Sequence, residues 1–291
     1  MPDLTLMAVH AHPDDESIST GGVLARYSAE GVRTVLVTCT DGGCGDGEAG
    51  SKPGDSRHVR EEVVAQRLSE LQSSCRALGI THLEMLGYND SGMMGWPDNE
   101  APGSFWTTPV EEAAAKLAEL LRRYRPQVVV TYDPNGFYGH PDHIQAHRIT
   151  MAAADLTGIP DKLYYTAVPR SAMAEFGRRL REMQIDFPAE RDDSAGPEGA
   201  EPESAGPREE WGTPDEEITT SVDVSAYVDP KFESILCHAS QADNIFFVRL
   251  DRSVFAELMG RETFVRVRDR TGASLPEDDL LAGLRGRGQG S

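Results

Sequence analysis

Two short stretches hold most of the residues suited to handling a metal ion and a proton. The first is His10-Ala11-His12-Pro13-Asp14-Asp15-Glu16, with five titratable side chains in seven positions. The second is Gly139-His140-Pro141-Asp142-His143, followed by Gln145 and His147. Each contains His-Pro-Asp. Imidazole and carboxylate suit a borderline divalent cation, and two imidazoles with one carboxylate leave a fourth position for water, as in a catalytic rather than a structural zinc site. Such an ion lowers the pKa of water to ~7, and a spare carboxylate can take the proton. The two stretches supply one such set with acids and histidines left over. A lone His-Pro-Asp marks a turn as readily as a site, but two of them, each beyond an apolar run, read as halves of one centre. Spacing alone does not decide whether His140 or His143 is the ligand. His10 and His147 read as satisfied structural histidines. Trp96, Phe105 and Trp106 suit a sugar pocket and core packing equally.

The first stretch leaves an apolar run, residues 4–9, that reads as a strand, and open α/β sheets place their sites at the carboxyl ends of strands. Residues 21–30 read as a helix with Val23, Leu24 and Tyr27 on one face, closed by Gly31, and residues 32–38 as a second buried strand. A glycine-rich loop over 42–50 precedes a long helix from Ser56, with Val59, Val63, Val64, Leu68, Leu71, Cys75 and Leu78 spaced by three and four, ended by Gly79. Residues 82–86 read as a strand and 91–107 as a functional loop. Thr108 then caps a helix opened by Pro109 and the acids Glu111 and Glu112, running to about residue 124. Residues 127–132 form a further strand, and the second stretch follows it. This alternation predicts one α/β domain: a Rossmann-like, mostly parallel sheet with helices on both faces.

The chain has 291 residues, 39% of them hydrophobic, which is enough for a sizeable core and excludes a fibrous or wholly disordered protein. Its 28 basic residues against 48 acidic ones give a net charge of −20, a field that repels phosphate backbones and anionic lipid, so no nucleic-acid or membrane partner is expected. No run approaches the ~18 apolar residues of a membrane span, and the start lacks the basic and apolar regions of a signal peptide. Cys39, Cys44, Cys75 and Cys237 form no CxxC, reading as reduced thiols of a cytoplasmic protein; no second cysteine pair joins Cys39 and Cys44 to make a metal site. Residues 189–217 carry eleven acids against Arg191 and Arg208 among Pro, Gly, Ser and Ala, and are expected to be a disordered insertion. The domain is thus residues 1–188 and 218–275, with strand-like residues 218–228, a helix over 231–241 and an apolar run over 243–250. Residues 276–291 are expected to be a flexible tail.

Ala11-His12-Pro13-Asp14-Asp15-Glu16 together with Gly139-His140-Pro141-Asp142-His143 resembles the paired signature of the LmbE/PIG-L zinc-dependent N-acetylglucosaminyl deacetylases. The likeness runs from about residue 4 to 154 and resumes over 212–266. Asp90-Ser91-Gly92-Met93, Tyr132-Asp133-Pro134-Asn135-Gly136 and Ile218-Thr219-Thr220 before Val222-Asp223-Val224 are most similar to the family's mycothiol-pathway branch. The resemblance implies His12, Asp15 and His143 as metal ligands for Zn2+, with Fe2+ as the alternative. It implies Asp14 as general base, and a protonated His140 that steadies the oxyanion or protonates the leaving amine. Asp142 would orient His140, and Tyr138 would polarise the carbonyl. Arg67 and Asp90 would bind sugar hydroxyls. The implied reaction is hydrolysis of the N-acetyl group of an amino-sugar substrate of the GlcNAc-inositol kind, giving amine and acetate. A mycothiol S-conjugate amidase, or a deacetylase of another glycoside such as an antibiotic intermediate, is the alternative. Ser19 stands where the related amidases carry a lysine, which favours the N-acetyl sugar. The short loop 42–54 and Met94-Gly95-Trp96-Pro97 depart from the branch. A sugar- or nucleotide-binding module without catalysis is the remaining reading, against which no Gly-x-Gly-x-x-Gly follows the first strand. Oligomeric state is not legible.

Overall fold

Apolar β-branched runs covered on both faces build the centre of the fold. The computed structural model describes residues 4–47, 50–183, 212–241 and 246–285. Strand β1 (Thr5–His10) is wholly buried, and β2 (Arg33–Thr40) is buried after its first residue. They are joined by the short helix α1 (Asp15–Ser19) and by α2 (Gly21–Ala29). Helix α3 (Arg60–Leu78) ends on Gly79 at φ 70, the left-handed cap expected there, and leads to β3 (His82–Tyr88). Helix α4 (Val110–Tyr124) leads to β4 (Val128–Thr131), then α5 (Gly136–Gly139) and α6 (Pro141–Thr157) lead to β5 (Lys162–Ala167). Helix α7 (Arg170–Glu182) precedes β6 (Thr220–Asp223), α8 (Val228–Cys237), α9 (Arg252–Met259) and β7 (Arg261–Asp269).

The sheet order is β3-β2-β1-β4-β5-β7-β6; the first five strands are parallel, and β7 and β6 add antiparallel at one edge. This is the open, mostly parallel α/β sheet expected. Alternation along β1 sends Leu6 and Ala8 into a core with Leu24 and Tyr27 of α2 and Leu71 of α3, and Met7 and Val9 into a second core with Leu117 and Leu121 of α4 and Ile149 of α6. A third cluster joins Leu180 of α7, Phe232 and Ile235 of α8 and Phe255 of α9.

Two expectations are corrected, and one strand was missed. Thr108 does not cap α4: its hydroxyl turns back to the Ser104 carbonyl, and Pro109 takes the cap position. Strand β7 was not read from the sequence, because charged residues interrupt its apolar positions. The tail expected to be flexible from residue 276 is packed as far as residue 285. Leu280, Leu281 and Leu284 are buried in the first core, and the Glu277 carboxylate meets Lys162, Tyr164, Thr220 and Arg266. Three leucines and one buried acid outweigh a polar, glycine-rich context. Of the acidic stretch, residues 189–211 lie outside the described residues. Residues 212–217 pair with the β5–α7 connection through Thr213 N–H to the Val168 carbonyl and Arg170 N–H to the Thr213 carbonyl. Residues 243–245 of the last apolar run also lie outside the described residues.

Candidate active site

Strands β1 and β4 are neighbours whose connections leave in opposite directions along the sheet, and their carboxyl ends border the crevice where such folds bind ligands. His12, Asp14 and Asp15 follow β1; Tyr138, His140, Asp142 and His143 follow β4. The first turn of α6 is built from the second motif: Pro141 sits at the first helical position, and His140 caps the helix by accepting the Asp142 backbone N–H on Nδ1 at 3.1 Å. The first motif turns sharply at Asp14, which adopts φ 127 and so separates its side chain from that of Asp15.

Three donors converge. His12 Nδ1 lies 3.3 Å from His143 Nε2 and 3.3 Å from Asp15 Oδ2, and His143 Nε2 lies 3.4 Å from Asp15 Oδ1. Four ligands at ~2.0–2.1 Å around a tetrahedral zinc stand about 3.3–3.4 Å apart, so the triangle fits such an ion. The opposite nitrogens are engaged as metal-binding histidines require: His143 Nδ1 meets the Gly136 carbonyl at 3.2 Å, and His12 Nε2 meets Asp142 Oδ2 at 3.2 Å. His12 also belongs to two other groupings with metal-ligand spacing, one with His140 and His143 and one with Asp90 and Asp142. Asp142 Oδ1 is buried with no hydrogen-bond partner. The clusters with metal-ligand spacing contain no cysteine among the described residues, and all four thiols are free.

The electrostatics separate the two adjacent acids. Burial pushes Asp14 up to about 6, with Arg67 opposing and the Asp15 charge adding. Asp15 is itself buried, but His143 and His12 hold it well below its ordinary 3.8. Despite burial, His12 is raised well above 6.5 by Asp90, Asp142 and Asp15, whereas burial and the neighbouring His12 and His143 hold His140 well below 6.5. An acid-rich, desolvated pocket of this kind favours a cation.

Two residues make contacts other than those their expected roles imply. Asp142 was expected to orient His140, but its carboxylate lies on His12 and accepts the Ser91 N–H at 2.9 Å; only its backbone reaches His140. Arg67 was expected to hold sugar hydroxyls. It is 3% exposed, with Nη1 on the Gly42 carbonyl and Nη2 on the Pro13 carbonyl and on Asp14 Oδ2 at 2.8 Å. Gly42 permits this approach, since a Cβ there would stand 2.6 Å from Arg67 Nη1. Asp90, 5% exposed, accepts the Gly92 and Cys44 N–H groups and lies 3.7 Å from His12 Nε2. Tyr138 stands at the mouth, 46% exposed, its ring 5.1 Å from that of His143. Phe105 is wholly buried against Tyr88, so it belongs to the core; Trp106 lies under the Arg148 guanidinium, and Trp96 covers Gly92.

Sequence reasoning quoted Tyr132 as the first residue of a branch motif but gave it no role. Its hydroxyl accepts the Ala11 N–H at 2.9 Å, donates to Asp15 Oδ2 at 2.7 Å, and meets His10 Nδ1 at 3.2 Å. His10, completed by Thr20 at 2.8 Å, is structural as expected, and it supports a residue that holds the site. His147 meets the Tyr132 carbonyl at 3.0 Å. Glu16 and His238 were also missed: Glu16 accepts His238 Nε2 at 2.7 Å and the Asp14 N–H at 3.0 Å. The sequence signals were the branch motif that Tyr132 opens and the place of Glu16 within the first motif; His238 had none.

A Rossmann-like sheet with a histidine–aspartate cluster at its switch point defines an α/β protein able to hold a divalent cation. The chain belongs to the PIG-L family, whose model, described as GlcNAc-PI de-N-acetylase, matches residues 7–154. It is 43% identical to a 1D-myo-inositol 2-acetamido-2-deoxy-alpha-D-glucopyranoside deacetylase of Acidothermus cellulolyticus, over 96% of this chain and 95% of that one. A relative of the same description from Thermobifida fusca is 44% identical, over 83% and 84%. Among solved structures, the N,N'-diacetylchitobiose deacetylase of Pyrococcus horikoshii superposes with a TM-score of 0.56 at 20% identity, covering 90% of this chain and 83% of that one. A 4-carboxy-2-hydroxymuconate hydratase of Pseudomonas putida superposes at 0.58 and 17% identity, over 94% and 99%. At such identities the structures share the fold, and a fold alone does not fix the reaction. No helix among the described residues is long and apolar enough to cross a membrane.

Proposed function

We propose that this protein is a metal-dependent hydrolase that removes the N-acetyl group from an N-acetylglucosaminide of the GlcNAc-inositol kind, releasing the amine and acetate. The observation that carries the reading is the triangle of His12 Nδ1, Asp15 and His143 Nε2 with edges of 3.3–3.4 Å, beside the carboxylate of Asp14. The near-full-length identity to relatives named for that deacetylation supports the choice of substrate. His12, Asp15 and His143 would hold the cation, which we assign as Zn2+. A divalent ion so placed acidifies a water molecule and polarises the amide carbonyl.

The protein groups supply the rest. Arg67 holds Asp14 by Oδ2, which leaves Oδ1 to accept the proton of the attacking water and to pass it to the amine nitrogen as the C–N bond breaks. His140 accepts the Asp142 N–H on Nδ1, so its proton resides on Nε2, from which it donates to the developing oxyanion as a neutral imidazole. This differs from the imidazolium implied by the family resemblance. Tyr138 adds a hydroxyl at the mouth. Asp142 orients His12, and Arg67 positions Asp14 rather than touching the sugar. Four free thiols favour a reducing, cytoplasmic location.

The test is acetate release from N-acetylglucosaminyl-inositol, measured beside an S-conjugate amide of the mycothiol type. Acetate from the first substrate alone is expected. The Asp14→Ala variant should lose turnover by at least ~10²-fold and retain about one metal per chain. Full activity in that variant removes the assigned base, and cleavage of the S-conjugate alone removes the assigned substrate.

A further inference from the structure

Phe137 is the residue beside the second motif that the chemistry above leaves unused. Its backbone lies at φ 66 and ψ −64, a γ-turn conformation that is rare and strained for any residue with a side chain. The turn is held from both sides: Phe137 N–H donates to Asp133 Oδ1 at 3.0 Å, and Asn135 Nδ2 donates to the Phe137 carbonyl at 3.5 Å. Gly136, at φ 61, has a packing reason to be glycine, because a Cβ there would lie 2.7 Å from His143 Cβ. Phe137 has no corresponding reason to be phenylalanine. Its side chain is 38% exposed, and its ring contact among the described residues is Tyr138, edge-on at 6.1 Å. A glycine would relieve the strain and lose no core packing. The strain thus maintains an aromatic ring outside the core.

That ring is linked to the site through Tyr138. Tyr138 lies 5.1 Å from the ring of His143 and 6.0 Å from that of His140, and the Phe137 ring adjoins Tyr138 at 6.1 Å. In a glucosaminide whose amide carbonyl were held by His12, Asp15 and His143, one sugar ring would separate the cluster from the aglycone. Aromatic faces offer a large apolar surface at little cost in side-chain freedom, and the C–H face of a saturated polyol ring is its complement. We propose that Phe137 is a specificity-determining platform on which the ring attached to the glucosamine stacks. The proposal rests on the deacetylase reading above.

Steady-state kinetics with N-acetylglucosaminyl-inositol and with free N-acetylglucosamine test it, together with thermal unfolding of the same variants. Phe137→Gly should raise KM for the glycoside by roughly 3–10-fold, the range of one aromatic contact, with the loss falling on KM rather than kcat. KM for the free sugar should not move. The same variant should melt about 2–4 °C higher as the strain is released. Phe137→Ala should show the KM change without the stabilisation, since it keeps a Cβ at positive φ, and Phe137→Trp should restore KM. An unchanged KM for the glycoside in Phe137→Gly, an equal rise for both sugars, or a lower melting temperature overturns the platform and leaves the deacetylase reading standing. A wild-type protein that releases no acetate from either sugar overturns both.

Discussion

Removing one oxygen atom from Tyr132 should loosen the metal site without touching a ligand. In Tyr132→Phe the ring remains, but three contacts go: the Ala11 N–H at 2.9 Å, Asp15 Oδ2 at 2.7 Å and His10 Nδ1 at 3.2 Å. Ala11 and His10 are wholly buried, so neither can turn to water, and an orphaned buried polar group costs about 1–3 kcal/mol. Asp15 loses less, because Oδ2 also accepts the His12 N–H at 2.8 Å. The sum is about 2–4 kcal/mol of stability, read by urea denaturation of the metal-free protein. Because the hydroxyl fixes the orientation of Asp15, metal affinity should fall ~10–100-fold, read by competition with a chelator. Tyr88→Phe is the internal control. Tyr88 is equally buried, but its hydroxyl has no hydrogen-bond partner, so its removal should be neutral or slightly stabilising. Equal losses in the two variants, or unchanged metal affinity in Tyr132→Phe, would refute the reasoning.

Asp142→Asn should weaken metal retention ~10–100-fold, since the carboxylate orients His12; loss of turnover with metal fully retained would return Asp142 to His140. The Glu16–His238 pair sets a pH window. Its partners hold Glu16 down at about 2 against an ordinary 4.5, a contribution present above 4.5 and lost as pH falls through 2. Glu16 raises His238 above 6.5, a contribution present below 6.5 and lost as pH rises through the raised value. The stability gap between wild type and Glu16→Gln should therefore be widest between about pH 4.5 and 6.5 and narrow on both sides, which denaturant titrations across pH will read. Glu277→Gln should cost about 3–5 kcal/mol, because Lys162 and Arg266 lose the anion they share; a melting temperature within a degree of wild type would show that the tail contributes little.

The local parts of this design were legible in the sequence. His12 and Asp15 lie three residues apart after one apolar run, His140 and His143 three apart after another, and the alternation of strands and helices put those runs in one parallel sheet. Arg67 was legible as inward-facing, four residues from both Val63 and Leu71 on the buried side of α3. What escaped was set by long-range packing. The reach of the Tyr132 hydroxyl to Ala11 depends on the β1–β4 register, in which Leu6 faces Val128 and Ala8 faces Val130. His238 meets Glu16 across 222 positions, and Glu277 meets Lys162 across 115. No window of residues carries that information.

The least legible feature is also the one on which the chemistry turns. Asp14 and Asp15 are adjacent in sequence yet meet different partners, Arg67 and Tyr132. At φ 127, Asp14 breaks the chain direction between them. Asp15 then lies among His12, His143 and Tyr132, and the two histidines keep it ionised despite burial, while Asp14 turns to Arg67 and burial pushes it up to about 6. Neighbouring carboxylates whose environments drive their pKa values apart are the mark of divided labour. The strained residue thus gives two adjacent aspartates the different environments that the proposed roles of ligand and base require. Glu16, by accepting the Asp14 N–H, and Arg67, by gripping its carboxylate, are the groups that hold that conformation in place.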